Sequence, residues 1–165
     1  MARRAIIQIY KPARRKKKGP VRSKKITFDG ITFASGLEKY MYQALKKAKI
    51  HALYEGQTFE LIESFDFPFA CYERCSNGKG EYKDRGNKKI LNMKYTPDFI
   101  GKGWIIECKG RANESFPLRW KIFKKLVAER RLGPFTLYKP QNQKECDETV
   151  KLILENGKKS NNTNI

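Results

Sequence analysis

The spacing of apolar and polar residues predicts a short hairpin followed by a helix in the first third of the chain. Apolar and polar side chains alternate across Ile26–Phe33 around Asp29-Gly30, and this dipeptide in such a pattern is the strongest short-range hairpin signal. Ser35 is a suitable helix N-cap, and Glu38 three residues later completes a capping box. An apolar stripe at helical spacing follows, formed by Leu37, Met41, Ala44, Leu45 and Ala48.

Strand and helix patterns alternate along the rest of the chain. Residues 57–69 predict a strand that loosens toward its end, and Cys71–Met93 is a polar, glycine-bearing excursion predicted to form a hairpin. The later elements are a helix over Phe116–Arg131, a strand over Phe135–Tyr138, a helix over Cys146–Glu155 and a polar tail over 157–165 that is predicted to be disordered.

Charged side chains converge in the stretch Tyr95–Gly110, which predicts two strands joined by a tight turn. The first strand is expected over Tyr95–Ile100, and an apolar run precedes Glu107. Glu107 and Lys109 are two residues apart, so they share one face of a strand, and the turn brings Asp98 beside Glu107. Two carboxylates and an ammonium suit a hard divalent cation and a phosphate. The alternative is a salt-bridged surface hairpin.

Glu38 has two possible roles. The capping box alone explains a glutamate three residues after Ser35. The alternative is a third acid, carried by the first helix and directed at the hairpin. The downstream acids favour this second role.

The charge of the chain indicates a polyanionic partner. The 165 residues, enough for one domain, include 36 Lys plus Arg against 17 Asp plus Glu, a formal net charge of +19. Nucleic acid fits this excess better than an acidic membrane surface does. Residues 1–23 form a basic arm that is expected to be flexible when free and could neutralise several phosphates. A solvated tail or a localisation patch would carry the same charge.

Neither a membrane span nor a secretory signal is predicted. No apolar run approaches the ~20 residues of a transmembrane helix, and the basic N-terminus has no apolar signal core. A cytoplasmic location is expected, in which the four cysteines are thiols. Cys71 and Cys75 have the spacing of half a zinc site, but the other half is not visible, so metal binding there stays open. Cys108 is expected to point into the core, away from Glu107 and Lys109.

The order of these motifs resembles the PD-(D/E)xK nucleases. Pro97-Asp98 is followed by Glu107-Cys108-Lys109, and around them stand FDGITFASGLEKYMYQAL, QTFEL and, after the ECKG, SFPLRWKIFKKL. Over roughly residues 24 to 140, the chain is similar to phage-encoded nucleases related to endonuclease I-type and Holliday junction-resolving enzymes. The resemblance implies an α/β fold with a restriction-endonuclease-like core, in which helices flank a central mixed β-sheet. The nuclease domain would span 24–156.

The resemblance also implies a set of site residues. Asp98, Glu107 and the backbone carbonyl of Cys108 would bind Mg²⁺, which Mn²⁺ could replace, with Glu38 contributing directly or through water. Lys109 would be the catalytic lysine, and no small-molecule cofactor is expected. The candidate nucleic-acid-binding residues are Arg14, Arg15, Lys16, Lys17, Lys18, Gln57, Arg111, Arg119, Lys121, Lys124 and Lys125.

The predicted function is Mg²⁺-dependent hydrolysis of phosphodiester bonds in DNA. The expected substrate is the four-way or branched DNA of recombination, cut by a homodimer in the host cytoplasm. Two alternatives stay open at this stage. One is a nuclease acting on linear or nicked DNA, and the other is a non-enzymatic basic protein that binds or packages nucleic acid.

Overall fold

Three helices and a set of short strands form a mixed α/β structure. The computed structural model describes residues 24–110 and 115–162. The helices are α1 (Gly36–Lys47), α2 (Phe116–Ala128) and α3 (Gln143–Asn162). The strands are β1 (Ile26–Phe28), β2 (Ile31–Phe33), β3 (Leu53–Tyr54), β4 (Phe59–Ile62), β5 (Phe65–Phe67), β6 (Tyr72–Glu73), β7 (Lys83–Asp84), β8 (Lys88–Ile90), β9 (Met93–Tyr95), β10 (Phe99–Gly101), β11 (Trp104–Ile106) and β12 (Thr136–Tyr138).

The hairpin and helix predicted at the start of the described chain are confirmed. Strands β1 and β2 pair antiparallel across Asp29-Gly30, and both turn residues have positive φ, 51° and 74°. This is the backbone that two-residue hairpins favour. Ser35 caps α1, accepting a hydrogen bond from the Glu38 N–H. Met41 and Leu45, from the predicted apolar stripe, are buried.

A four-stranded mixed sheet lies at the centre, in the order β12-β11-β10-β3. Strand β11 runs parallel to β12 and antiparallel to β10, which is antiparallel to β3. All three residues of β11 are buried. Trp104 and Ile106 pack with residues of α1 and α3, whereas Ile105 packs with residues of α2. Helices therefore cover both faces of the sheet, and successive β11 side chains enter different halves of the core.

The tight turn between β10 and β11 is confirmed, but the predicted first strand is wrong in extent. Gly101 pairs with Trp104, and a Cβ at Gly101 would lie 2.1 Å from the Trp104 ring. Tyr95–Ile100 is not one strand, because β9 ends at Tyr95 and β10 begins at Phe99 in a different sheet. Pro97 lies between them and has no N–H to continue a ladder.

Strands β4 to β9 form a long antiparallel ribbon, which contains the predicted polar excursion. Its three pairs are nested: β4 with β9, β5 with β8, and β6 with β7. The chain departs at Phe59 and returns opposite it at Tyr95. The strand predicted over residues 57–69 thus corresponds to β4 and β5. We refer to residues 59–95 as the ribbon.

The last two helices differ in length from the prediction. Helix α2 ends at Ala128 rather than Arg131, and its buried residues are Phe116, Trp120, Phe123 and Leu126. Helix α3 begins at Gln143 and continues to Asn162, although the predicted helix ended at Glu155 and residues 157–165 were predicted to be a disordered tail. The backbone of residues 157–162 is helical. In the described ranges, no helix is both long enough and apolar enough to cross a membrane.

Candidate active site

Asp98 and Glu107 lie side by side at one end of the β10–β11 hairpin. Phe99 pairs with Ile106, so the residues just outside this pair, Asp98 and Glu107, face each other across the two chains. The Cys108 N–H donates a hydrogen bond of 2.6 Å to Asp98 Oδ2, which ties the first acid to the backbone between Glu107 and Lys109. The predicted convergence of these residues is present in the structure.

Glu107 is a buried carboxylate with two described side-chain contacts. Only 4% of the residue is exposed. The Tyr95 hydroxyl donates to Glu107 Oε2 at 2.8 Å, and Lys109 Nζ lies 3.5 Å from Oε1. The same ammonium lies 4.8 Å from the centre of the Phe116 ring, a distance at which a cation is attracted to the ring face. Lys109 is thus held between an acid and the start of α2.

Glu38 acts as a helix cap and also lies near the other two acids. Its Oε2 accepts hydrogen bonds from the Ala34 N–H at 2.9 Å and the Tyr54 hydroxyl at 2.8 Å, and its Oε1 accepts one from the Ser35 hydroxyl at 2.7 Å. The carboxylate is buried, and its charge raises the pKa of the Asp98 carboxyl. The capping role of Glu38 is therefore confirmed, and its carboxylate is close enough to influence Asp98, whereas its role as a third acid of the site stays a prediction.

Burial and mutual repulsion make the acid pair unfavourable when both groups are charged. Removal from water, and then the charges of Glu107 and Glu38, raise the pKa of Asp98 to about 8. Burial also raises the pKa of Glu107, against the opposing effects of the Tyr95 hydrogen bond and the Lys109 charge. Neighbouring groups with such perturbed pKa values are typical of functional sites. A divalent cation would offset this repulsion.

A basic cleft of about 300 Å³ opens beside Glu107. It is lined by Lys94, Tyr95, Thr96, Glu107, Lys109, Ser115, Phe116 and Arg119. Neither Lys94 nor Arg119 forms a salt bridge with a described residue. Lys94 and Tyr95 were not among the predicted site residues. Strand periodicity could have identified Lys94. Lys94 and Thr96 are two residues apart in the segment that leads into Pro97-Asp98, and residues at this spacing share a face.

The candidate nucleic-acid-binding residues differ in their placement. Arg119 lines the cleft, and Lys121 and Lys124 line a neighbouring groove beside Trp120. Lys125 is exposed and lies 3.6 Å from Glu129. Gln57 is exposed before β4 and does not line the cleft. Residues 14–18 and Arg111 lie outside the described residues.

The cysteines behave as thiols in the described structure. Cys108 is buried and packs in the core with Cys146, as predicted for the face opposite Glu107. All four cysteines are free. Among the described residues, no group of three or more His, Cys, Asp or Glu side chains is arranged to hold a metal ion. A metal at the acid pair would therefore need oxygen ligands beyond the carboxylates.

Residues 18–139 match a family described as Protein of unknown function (DUF1064). The chain belongs to this family. No curated protein and no solved structure matches the chain. The matched residues include Glu38, Asp98, Glu107 and Lys109, so the whole candidate site lies within the part of the chain that defines the family.

We expect the raised pKa of Asp98 to make the protein less stable as pH rises. The folded-state pKa of about 8 lies above the ordinary 3.8, so the folded protein holds its proton more tightly than the unfolded chain. The contribution to stability is complete below about pH 4 and is lost as pH rises toward 8. Between pH 5 and pH 8, the free energy of unfolding of Asp98→Asn should rise relative to that of wild type by at least about 1.4 kcal/mol, the equivalent of one pKa unit.

Urea unfolding of both proteins, without metal, measures this difference. Asp66→Asn is the matched control, since Asp66 is an exposed aspartate on β5, and its unfolding free energy should follow wild type at every pH. If the unfolding free energy of Asp98→Asn also follows that of wild type at every pH, the pKa of Asp98 is not raised in the folded protein.

Proposed function

We propose that this protein is a metal-dependent endonuclease with a PD-(D/E)xK core. The observation that supports it best is the pairing of two adjacent carboxylates, the half-buried Asp98 and the buried Glu107, with a cleft lined by three cations, Lys94, Lys109 and Arg119. Carboxylates attract a divalent cation and the cations attract phosphate, so the cleft suits a metal and a phosphodiester together.

The arrangement of elements is compatible with such a core. Helix α1 carries Glu38, the β10–β11 hairpin carries the acids and Lys109, and β12 extends the sheet in parallel. Helix α2 then covers the face on which Glu107 and Ile105 lie. This is the order of motifs on which the resemblance to the nucleases was based.

The donor atoms of the site fit Mg²⁺. Mg²⁺ is commonly held by one or two carboxylates together with waters and substrate phosphates rather than by an all-protein cage. Asp98 and Glu107 would supply the carboxylates, and the backbone carbonyl of Cys108, the residue after Glu107, would supply a further oxygen. Glu38 already accepts three hydrogen bonds, so a water-mediated contribution suits it better than direct binding. When bound, the ion would supply Lewis-acid polarisation of the phosphate and lower the pKa of a water.

The protein's own residues would position the reactants. In hydrolysis the oxygen of a water molecule bonds to phosphorus and loses a proton, while the P–O bond to the leaving strand breaks and the leaving oxygen takes up a proton. Negative charge builds on the phosphate oxygens and on the leaving oxygen during this exchange. Lys109, held at the edge of the cleft, would neutralise that charge or orient the attacking water. Lys94 and Arg119 would hold the DNA backbone, and the lysines on the exposed side of α2 would extend the contact.

Branched DNA is the substrate that we propose, in line with the junction-resolving nucleases that the sequence resembles. A junction has two strands to cut, and the described chain carries one acid pair. A homodimer with two-fold symmetry is the simplest way to supply two sites. The host cytoplasm is the proposed location.

Cleavage assays on a set of DNA structures test the function. The full chain is incubated with linear duplex, single-stranded, flap and four-way DNA of shared sequence, each with Mg²⁺ or with EDTA. We expect cleavage of the four-way DNA with Mg²⁺ and none with EDTA. Preferential cutting of linear duplex DNA would support the nuclease proposal and contradict branched DNA as the substrate. Tight binding without cleavage under any metal would instead indicate a DNA-binding or packaging protein.

A further inference from the structure

We propose that Tyr95 is a positioning residue of the candidate site, whose hydroxyl group fixes the Glu107 carboxylate for metal binding. The proposal deepens the function proposed above and depends on it. Neither the motif nor the family match assigns a role to this tyrosine.

The two oxygens of Glu107 have different surroundings. Oε2 accepts the hydrogen bond from Tyr95 at 2.8 Å. Oε1 has no described hydrogen-bond donor other than Lys109, whose Nζ lies at the longer distance of 3.5 Å, and all three residues line the cleft. A hydrogen bond to one oxygen restricts rotation of the carboxylate, so Tyr95 determines which oxygen is presented to an ion. Such outer partners orient metal ligands and tune their affinity.

Tyr95 is itself held by contacts that do not involve Glu107. The residue is only 6% exposed. Its ring centre lies 4.8 Å from that of Phe123 and 6.1 Å from that of Trp120, both on α2, and its backbone pairs with Phe59. The hydroxyl is therefore placed by the core and the base of the ribbon, and Glu107 adjusts to it.

Tyr54 stands in a comparable position at Glu38, but it has less influence on the orientation of that carboxylate. The Tyr54 hydroxyl also lies 2.8 Å from a carboxylate oxygen, but the Ala34 N–H and the Ser35 hydroxyl bind the same carboxylate. Tyr54 is thus one of three donors to Glu38. Among the described residues, Tyr95 is the one uncharged donor that contacts the Glu107 side chain.

Mn²⁺ binding by Tyr95→Phe tests the proposal without requiring catalysis. The substitution keeps the ring and its contacts with α2 and removes only the hydroxyl group. Calorimetric titration of the full chain with Mn²⁺, without DNA and well below both melting midpoints, should show affinity about 10- to 100-fold weaker than wild type. In the cleavage assay, the metal concentration for half-maximal rate should rise by a similar factor, and saturating Mn²⁺ should restore most of the rate. A tyrosine with a purely structural role would lower the melting midpoint without this metal dependence.

Tyr42→Phe is the matched control, since it also removes a tyrosine hydroxyl group. That hydroxyl donates to Asp29 at 3.3 Å in an exposed position, so Mn²⁺ affinity should be unchanged. If Tyr95→Phe binds Mn²⁺ as tightly as wild type, the positioning role is wrong and the nuclease proposal stands. If wild type binds no Mn²⁺ and cuts no DNA, both proposals are wrong.

Discussion

Replacing either acid of the central pair with its amide should abolish DNA cleavage and leave DNA binding intact or tighter. Asp98→Asn and Glu107→Gln each remove a carboxylate that would bind the metal, and Glu107 also lines the cleft. Their amide oxygens can still accept the hydrogen bonds from the Cys108 N–H and the Tyr95 hydroxyl. A Lewis-acid metal contributes several kcal/mol to such reactions, and each ~1.4 kcal/mol is a factor of ten in rate. We therefore expect cleavage to fall by roughly three orders of magnitude or more.

Single-turnover cleavage of four-way DNA with Mg²⁺, together with gel-shift binding in EDTA, measures the two effects separately. Asp66→Asn and Glu63→Gln are matched controls, because both residues are exposed on the ribbon and face neither the acids nor the cleft lining. Both controls should cut at the wild-type rate. Wild-type cleavage by Asp98→Asn or Glu107→Gln would show that the catalytic site lies elsewhere.

Glu38→Gln should give a folded protein that binds four-way DNA and cuts it orders of magnitude more slowly. A glutamine oxygen can keep the hydrogen bonds from the Ala34 N–H and the Tyr54 hydroxyl, and its amide group can donate to Ser35 Oγ. Glutamine also serves in a capping box, so the cost in stability should be about 1 kcal/mol or less, as for N-cap losses. What the substitution removes is the charge beside Asp98.

Ser35→Ala is the complementary variant. It breaks the cap by removing the hydroxyl group that contacts both the Glu38 N–H and Oε1, at a cost of about 1 kcal/mol, but it retains the carboxylate. Its melting midpoint should fall while its cleavage rate stays near wild type at temperatures where it is folded. Melting curves and single-turnover rates for the two variants separate the roles. Normal cleavage by Glu38→Gln would leave Glu38 as a helix cap only.

Local rules predicted the elements that depend on neighbouring residues. The Asp29-Gly30 turn, the Ser35 cap and the Gly101–Trp104 turn follow from backbone preferences over a few residues, and the structure has all three. The juxtaposition of Asp98 with Glu107 was predictable for the same reason, because a short turn fixes the register of its strands. The opposite orientation of Cys108 followed from the strand period of two.

Other features depended on contacts between distant segments. The sequence did not indicate that β3 would pair with β10 and bring Tyr54 to Glu38. Nor did it indicate that the chain would change sheets at Pro97, since an aromatic, β-branched segment predicts one strand until its pairing partners are known. The helical backbone of residues 157–162 likewise contradicts a composition that is typical of disorder.

The sequence by itself determined the local hairpins, the capped helix and the grouping of Asp98, Glu107 and Lys109, because turn geometry and strand periodicity act over short separations. Only the tertiary structure decided that Glu38 and Glu107 are buried, that Tyr95 and Lys94 line the cleft beside Glu107, and that Glu38 lies near enough to raise the pKa of Asp98. Burial and electrostatic coupling depend on how α1, α2 and the ribbon pack around the hairpin, and such packing between segments far apart in the chain has no signature within any one of them.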